Sequence, residues 1–100
     1  MKPTNVAVAK GSRCVMECGT NIDKRAVLWY YKDQDNSPRQ LIYTGYRVVD
    51  SVTSIYSVIQ FALVINFTLP HIAGTYICEE AGSKMNASAE LVVLGMYGHN

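Results

Sequence analysis

Four residues constrain this chain more than its composition does: Cys18, Trp29 eleven positions later, Cys78 sixty positions after Cys18, and Tyr76 two positions before Cys78. All four lie within short runs rich in Val, Ile, Leu and Tyr. These runs are separated by clusters of Gly, Asn, Asp and Ser, and no convincing helical period appears anywhere. The pattern predicts an all-β chain of eight or nine strands, at 6–10, 13–18, 27–32, 40–43, 46–49, 55–59, 62–67, 75–79 and 89–94. One hundred residues suit a single domain, 1–100, with an ordered core over about 5–94 and a tail at 95–100.

The neighbours of the four residues carry a resemblance. After Trp29 the chain reads Trp29-Tyr30-Tyr31-Lys32, then Pro38 and Leu41-Ile42-Tyr43, and before Cys78 it reads Ala73-Gly74-Thr75-Tyr76-Ile77-Cys78. Together these stretches resemble the immunoglobulin superfamily across nearly the whole chain, in its variable-type (V-set) form. The resemblance implies an immunoglobulin-like β-sandwich of two antiparallel sheets. One inter-sheet disulfide, Cys18 to Cys78, would pack on Trp29 with Tyr76 beside it. Some twenty residues between Tyr43 and Leu63 leave room for the additional C″ strand of the variable type. A loop of this length, once closed, would remove denatured-state entropy worth roughly 4 kcal/mol. A disulfide also implies an oxidising compartment. The expected location is therefore extracellular, as a secreted protein or the ectodomain of a membrane protein. Signal peptide and anchor are absent from this fragment: Met1-Lys2-Pro3 leads straight into a strand pattern, and the apolar stretch around 61–65 is too short to span a bilayer.

Alternate residues of a strand point to opposite faces of its sheet. With Trp29 and Cys78 inward, parity predicts a core of Cys14, Met16 and Cys18; Val27, Trp29 and Tyr31; Leu63, Ile65 and Phe67; Tyr76 and Cys78; Leu91 and Val93. Cys14 and Cys18 stand about 13 Å apart at strand rise, beyond the roughly 7 Å Cα limit for a bond between them, and too far apart to chelate a metal. The spacing to Trp29 that the resemblance uses selects Cys18 as the bonded residue. Cys14 is then a small core hydrophobe; an intermolecular bridge would require it to face outward.

Two departures from the family are visible. Ile72 stands where the family carries an Asp that pairs with an Arg, so apolar packing is expected to close that end of the sandwich. Met85-Asn86-Ala87-Ser88 replaces the Phe-Gly-x-Gly bulge of antigen receptors, and the connection at 79–84 is short. These features resemble cell-surface adhesion domains more than rearranging receptors.

The resemblance places the partner-binding surface on the outer face of strands G, F, C and C′. Parity assigns to it Leu28, Tyr30, Lys32, Pro38, Gln40, Tyr43, Ile77 and Glu79, with Met85 at its edge. A contiguous apolar centre with a polar border is costly for a monomer to expose. Tyr adds a large rigid contact area with a hydroxyl handle. The expected function is protein recognition in an immune-type or adhesion receptor, with another immunoglobulin-superfamily domain or a second copy as partner, Glu79 or another acid then pairing with Lys32 across a homodimer. The alternative is a soluble innate recognition domain, or one resembling an antigen receptor, that binds ligand through loop tips, although 19–25 and 79–84 contain no aromatic residue. Asn66-Phe67-Thr68 and Asn86-Ala87-Ser88 are glycosylation sequons. A net charge of +1 with scattered signs disfavours nucleic acid and direct membrane contact. His71 and His99, the only histidines, have no nucleophile or ligand set at a recognisable spacing, so neither an enzyme nor a cofactor is expected.

Overall fold

The computed structural model describes residues 5–17, 27–33, 38–80 and 86–94. Eight strands form among them: β1 (Val6–Ala9), β2 (Cys14–Met16), β3 (Val27–Lys32), β4 (Gln40–Tyr43), β5 (Tyr56–Ile59), β6 (Ala62–Ile65), β7 (Gly74–Glu80) and β8 (Asn86–Leu94). They build a sandwich, with strand order β1-β8-β7-β3-β4 in one sheet and β2-β6-β5 in the other.

Period-two alternation sets the layer between them. On β3, Val27 and Trp29 are buried while Leu28 and Tyr30 are half-buried; on β7, Tyr76 and Cys78 are buried between half-buried neighbours. Cys14, Met16, Leu63 and Ile65 of the smaller sheet join them in one apolar cluster. Trp29 and Cys78 are cross-strand partners at its centre. Each large aliphatic side chain buried there contributes about 1.5–3 kcal/mol.

Polar groups are satisfied where the layer would otherwise strand them. The Trp29 indole Nε1 donates to the Phe61 carbonyl at 3.0 Å. That carbonyl belongs to a two-residue hairpin turn joining β5 to β6, in which Gln60 (φ 50°) and Phe61 (φ 73°) are both left-handed. Such turns match the twist of the strands but favour Asn and Gly. Here Phe61 compensates by packing on the core and accepting the indole hydrogen bond.

The end where the resemblance led to an expectation of apolar packing is closed by Ile72, buried in a 3-10 turn at Pro70–Ile72, and by three tyrosines. Tyr76 donates its hydroxyl to the Ile72 carbonyl at 2.7 Å, Tyr56 and Tyr76 share a 2.8 Å hydroxyl contact, and Tyr31 donates to Ala73 at 2.8 Å. A Tyr that bonds backward to the chain before its own strand is the corner device of immunoglobulin-like sandwiches.

Four expectations need correction. The segment at 46–49 adds no strand: Thr44 accepts through its hydroxyl from the backbone of Tyr46 and Arg47, and the chain turns back to make a single bridge, Tyr43 to Val48, before a 3-10 turn at Asp50–Val52. The sheets are not wholly antiparallel, because β1 crosses to the larger sheet and pairs parallel with β8. The last strand starts at Asn86, three residues before the expected 89. Phe67 is 57% exposed, since β6 ends at Ile65 and the chain bends. Thr68 takes the interior place and donates its hydroxyl to the carbonyls of Ala9 and Ser12, at 3.1 and 3.0 Å.

Cys14 is inward, 4% exposed and a free thiol, as its parity predicts. Burial pushes that thiol's pKa up, so it stays neutral and poorly nucleophilic.

Candidate protein-interaction face

The outer face of the larger sheet is assembled from residues that parity turns away from Trp29. Register orders them in rows: Leu28 opposite Glu79, Tyr30 opposite Ile77 and then Ser88, Lys32 opposite Thr75 and then Glu90. Leu28, Tyr30, Lys32, Ile77 and Glu79 are all half-buried. The apolar row therefore runs through the middle, with polar rows at either side.

Strand β4 is shifted. Tyr30 pairs with Leu41, but Trp29 pairs with Tyr43, so Ile42 is an extra residue at a bulge. A bulge lets two residues oppose one and reverses parity beyond it. Leu41, 39% exposed, is thus the β4 residue beside Tyr30. Tyr43 lies opposite Trp29 and packs against the core, and Gln40 lies opposite Tyr31. Pro38 is exposed immediately before β4. Met85 and Cys18 lie outside the described residues. Asn66 is exposed in the bend after β6, and Asn86 opens β8 opposite Glu79, its side chain outside the description.

Sequence reasoning missed Arg39. Its guanidinium lies 4.1 Å from the centroid of the Tyr30 ring and 3.5 Å from Glu79 Oε1. The stack contributes about 0.5–1 kcal/mol at an exposed site, and the ion pair about 0–1 kcal/mol. Their geometric effect is larger than their energy: Tyr30 is held flat under a cation and Glu79 is engaged within the chain. Glu79 is therefore not the free acid expected to answer Lys32, whose nearest row instead holds Thr75 donating to Glu90 at 3.3 Å. The charge of Arg39 is visible in the sequence; the bulged register that brings it over Tyr30 is not.

The face continues past Glu90 into the exposed pair Val92 and Leu94, with Ala7 and Ala9 of β1 paired beside them. On the opposite sheet a shallow depression of about 300 Å³ lies over β2, β6 and β5. No group of three or more metal-ligating side chains occurs among the described residues.

No family model matches the chain, and no curated protein matches it. Solved structures do. A titin I9-I11 tandem aligns with TM-score 0.70 and 17% identity over 95% of this chain and 32% of the titin chain. A chimeric titin Z1Z2 functionalised with a peptide from decorin aligns with TM-score 0.69 and 22% identity over 94% of this chain and 90% of its own. This chain thus spans about a third of the tandem. At these identities the likeness shows the fold alone, an immunoglobulin-like sandwich.

Proposed function

We propose that the chain is a variable-type recognition domain of an extracellular immune-type or adhesion protein. It binds a protein partner, another immunoglobulin-type domain or a second copy of itself, through the outer face of β8, β7, β3 and β4, without catalysis. The observation that carries this reading is the centre of that face: Tyr30 with Leu41 and Ile77 on either side, capped by Arg39 and bordered by Glu79 and Lys32. A rigid aromatic surrounded by charges that can be recruited or excluded is the usual composition of a binding hot spot.

The proposal includes the Cys18–Cys78 disulfide. Its support is that Cys78 lies buried in the core opposite Trp29, while Cys14 is the free thiol. Use of the Asn66 sequon also belongs to it, because Asn66 is exposed and lies off the proposed face.

Size-exclusion chromatography with light scattering over a concentration series tests the self-recognition form. At physiological salt and micromolar protein, mass should rise toward a dimer for the wild type and remain monomeric for Tyr30→Ala. A wild-type monomer directs the test to an array of extracellular domains, where Tyr30→Ala should abolish capture. If Tyr30→Ala leaves both mass and capture unchanged, the face is not the binding site.

A further inference from the structure

The edge of the smaller sheet carries a pattern that the proposed function does not use. Strand β2 pairs with β6 on one side and has no strand partner on the other among the described residues. Cys14 and Met16 point into the core, while Arg13, Val15 and Glu17 line one depression on the outer face together with Val64, the buried cross-strand neighbour of Val15 on β6. Val15 is 43% exposed. Neither Arg13 nor Glu17 makes an ion pair among the described residues.

Opposite charges thus stand two residues before and two residues after Val15. An antiparallel copy related by a two-fold axis through Val15 places Val15 against Val15, and each Arg13 against the other copy's Glu17. The same register places Cys14 against Met16, so inward residues stay inward and outward residues outward. A slip of one residue would reverse every face, and a slip of two would break both charge pairs. Charges on an edge strand usually repel further strands. Here their signs are complementary under the symmetry that copies of one chain commonly adopt.

We propose that β2 is a self-pairing edge. Two copies join β2 to β2 antiparallel, forming a continuous six-stranded sheet, with two Arg13–Glu17 pairs fixing the register. The contact is short, so the association is weak and salt-sensitive. It is separate from the face carrying Tyr30, which lies on the other sheet.

The test uses the full chain with Asn66 free of glycan, because extending the β2–β6 register puts that residue opposite Arg13. Sedimentation equilibrium up to about 1 mM, the range of weak contacts, reads the mass at low salt. Arg13→Glu and Glu17→Arg, each of which sets like charges opposed at both pairs, should weaken dimerisation at least tenfold. The double variant Arg13→Glu/Glu17→Arg should restore it to within about threefold of the wild type, since the pairs are re-formed with signs exchanged. Matching thermal melts exclude loss of fold. A strictly monomeric wild type overturns the proposal, as does a double variant no tighter than the singles. So does a dimer that survives both single reversals but is lost in Tyr30→Ala, which would assign the association to the other sheet and leave the proposed function standing.

Discussion

A Cβ added to Gly74 would lie 2.8 Å from the Lys32 carbonyl oxygen and 2.9 Å from the Tyr31 ring, at a φ of +151°. The carbonyl is backbone within the β3–β7 ladder and cannot swing away. Gly74→Ala should therefore cost about 2–4 kcal/mol, combining an unfavourable backbone angle with a steric overlap. Urea denaturation should show the midpoint fall; a change under about 0.5 kcal/mol would mean that β7 can shift. Gly74 belongs to a motif that was legible before any coordinates, but the reason for the glycine was not. It depends on Tyr31, which reaches across from β3 to bond Ala73. Thr68 teaches the same lesson from the other side. Strand parity assigned the interior place to Phe67, because it assumed that β6 runs two residues further than it does. Where a strand stops is decided by the hydrogen bonds available to the chain beyond it, and here Thr68 finds Ser12 and Ala9.

The β5–β6 hairpin is the element most at odds with its local sequence. Its turn residues, Gln60 and Phe61, both adopt left-handed angles that cost a non-glycine residue roughly 1–2 kcal/mol. Asn tolerates this region better, so Gln60→Asn should raise stability by about 0.5 kcal/mol, measured as a higher urea midpoint with an unchanged slope. A lower midpoint would show that Gln60 makes a contribution beyond its backbone angle. No Asn-Gly signal marks this turn in the sequence. The strands on either side force it, together with the Trp29 hydrogen bond to Phe61. Strand β4 shows the reverse case. Its apolar run marks it clearly as a strand, yet the bulge at Ile42 exchanges which residues face outward. Which residues face outward was consequently readable on β3 and β7, where pairing is regular, and misassigned on β4, where it is not.

Across the whole molecule, the tyrosine cluster makes stability depend on alkaline pH. Tyr31 is pushed up to about 12 from an ordinary 10, first by burial and then by the charge and hydrogen bond of Asp33. Burial raises Tyr56 and Tyr76 as well. The unfolded chain therefore releases these protons first as pH rises. Their stabilising contribution is complete below about pH 10 and is lost as pH approaches 12. Urea midpoints should stay level to pH 9 and then fall steeply, with a shallower fall in Tyr31→Phe. A level profile to pH 12 would contradict the buried cluster.

Covalent periodicity acts locally: successive side chains in a strand alternate, so once the resemblance implied a sandwich with Trp29, Tyr76 and Cys78 inward, the directions of their strand neighbours followed from sequence alone. Register, strand ends and the choice of sheet are long-range matters, settled when separate segments compete for the same hydrogen bonds and the same core volume. That competition moved β1 beside β8, turned Tyr43 inward, placed Arg39 over Tyr30 and left β2, among the described residues, with a strand partner on one side only.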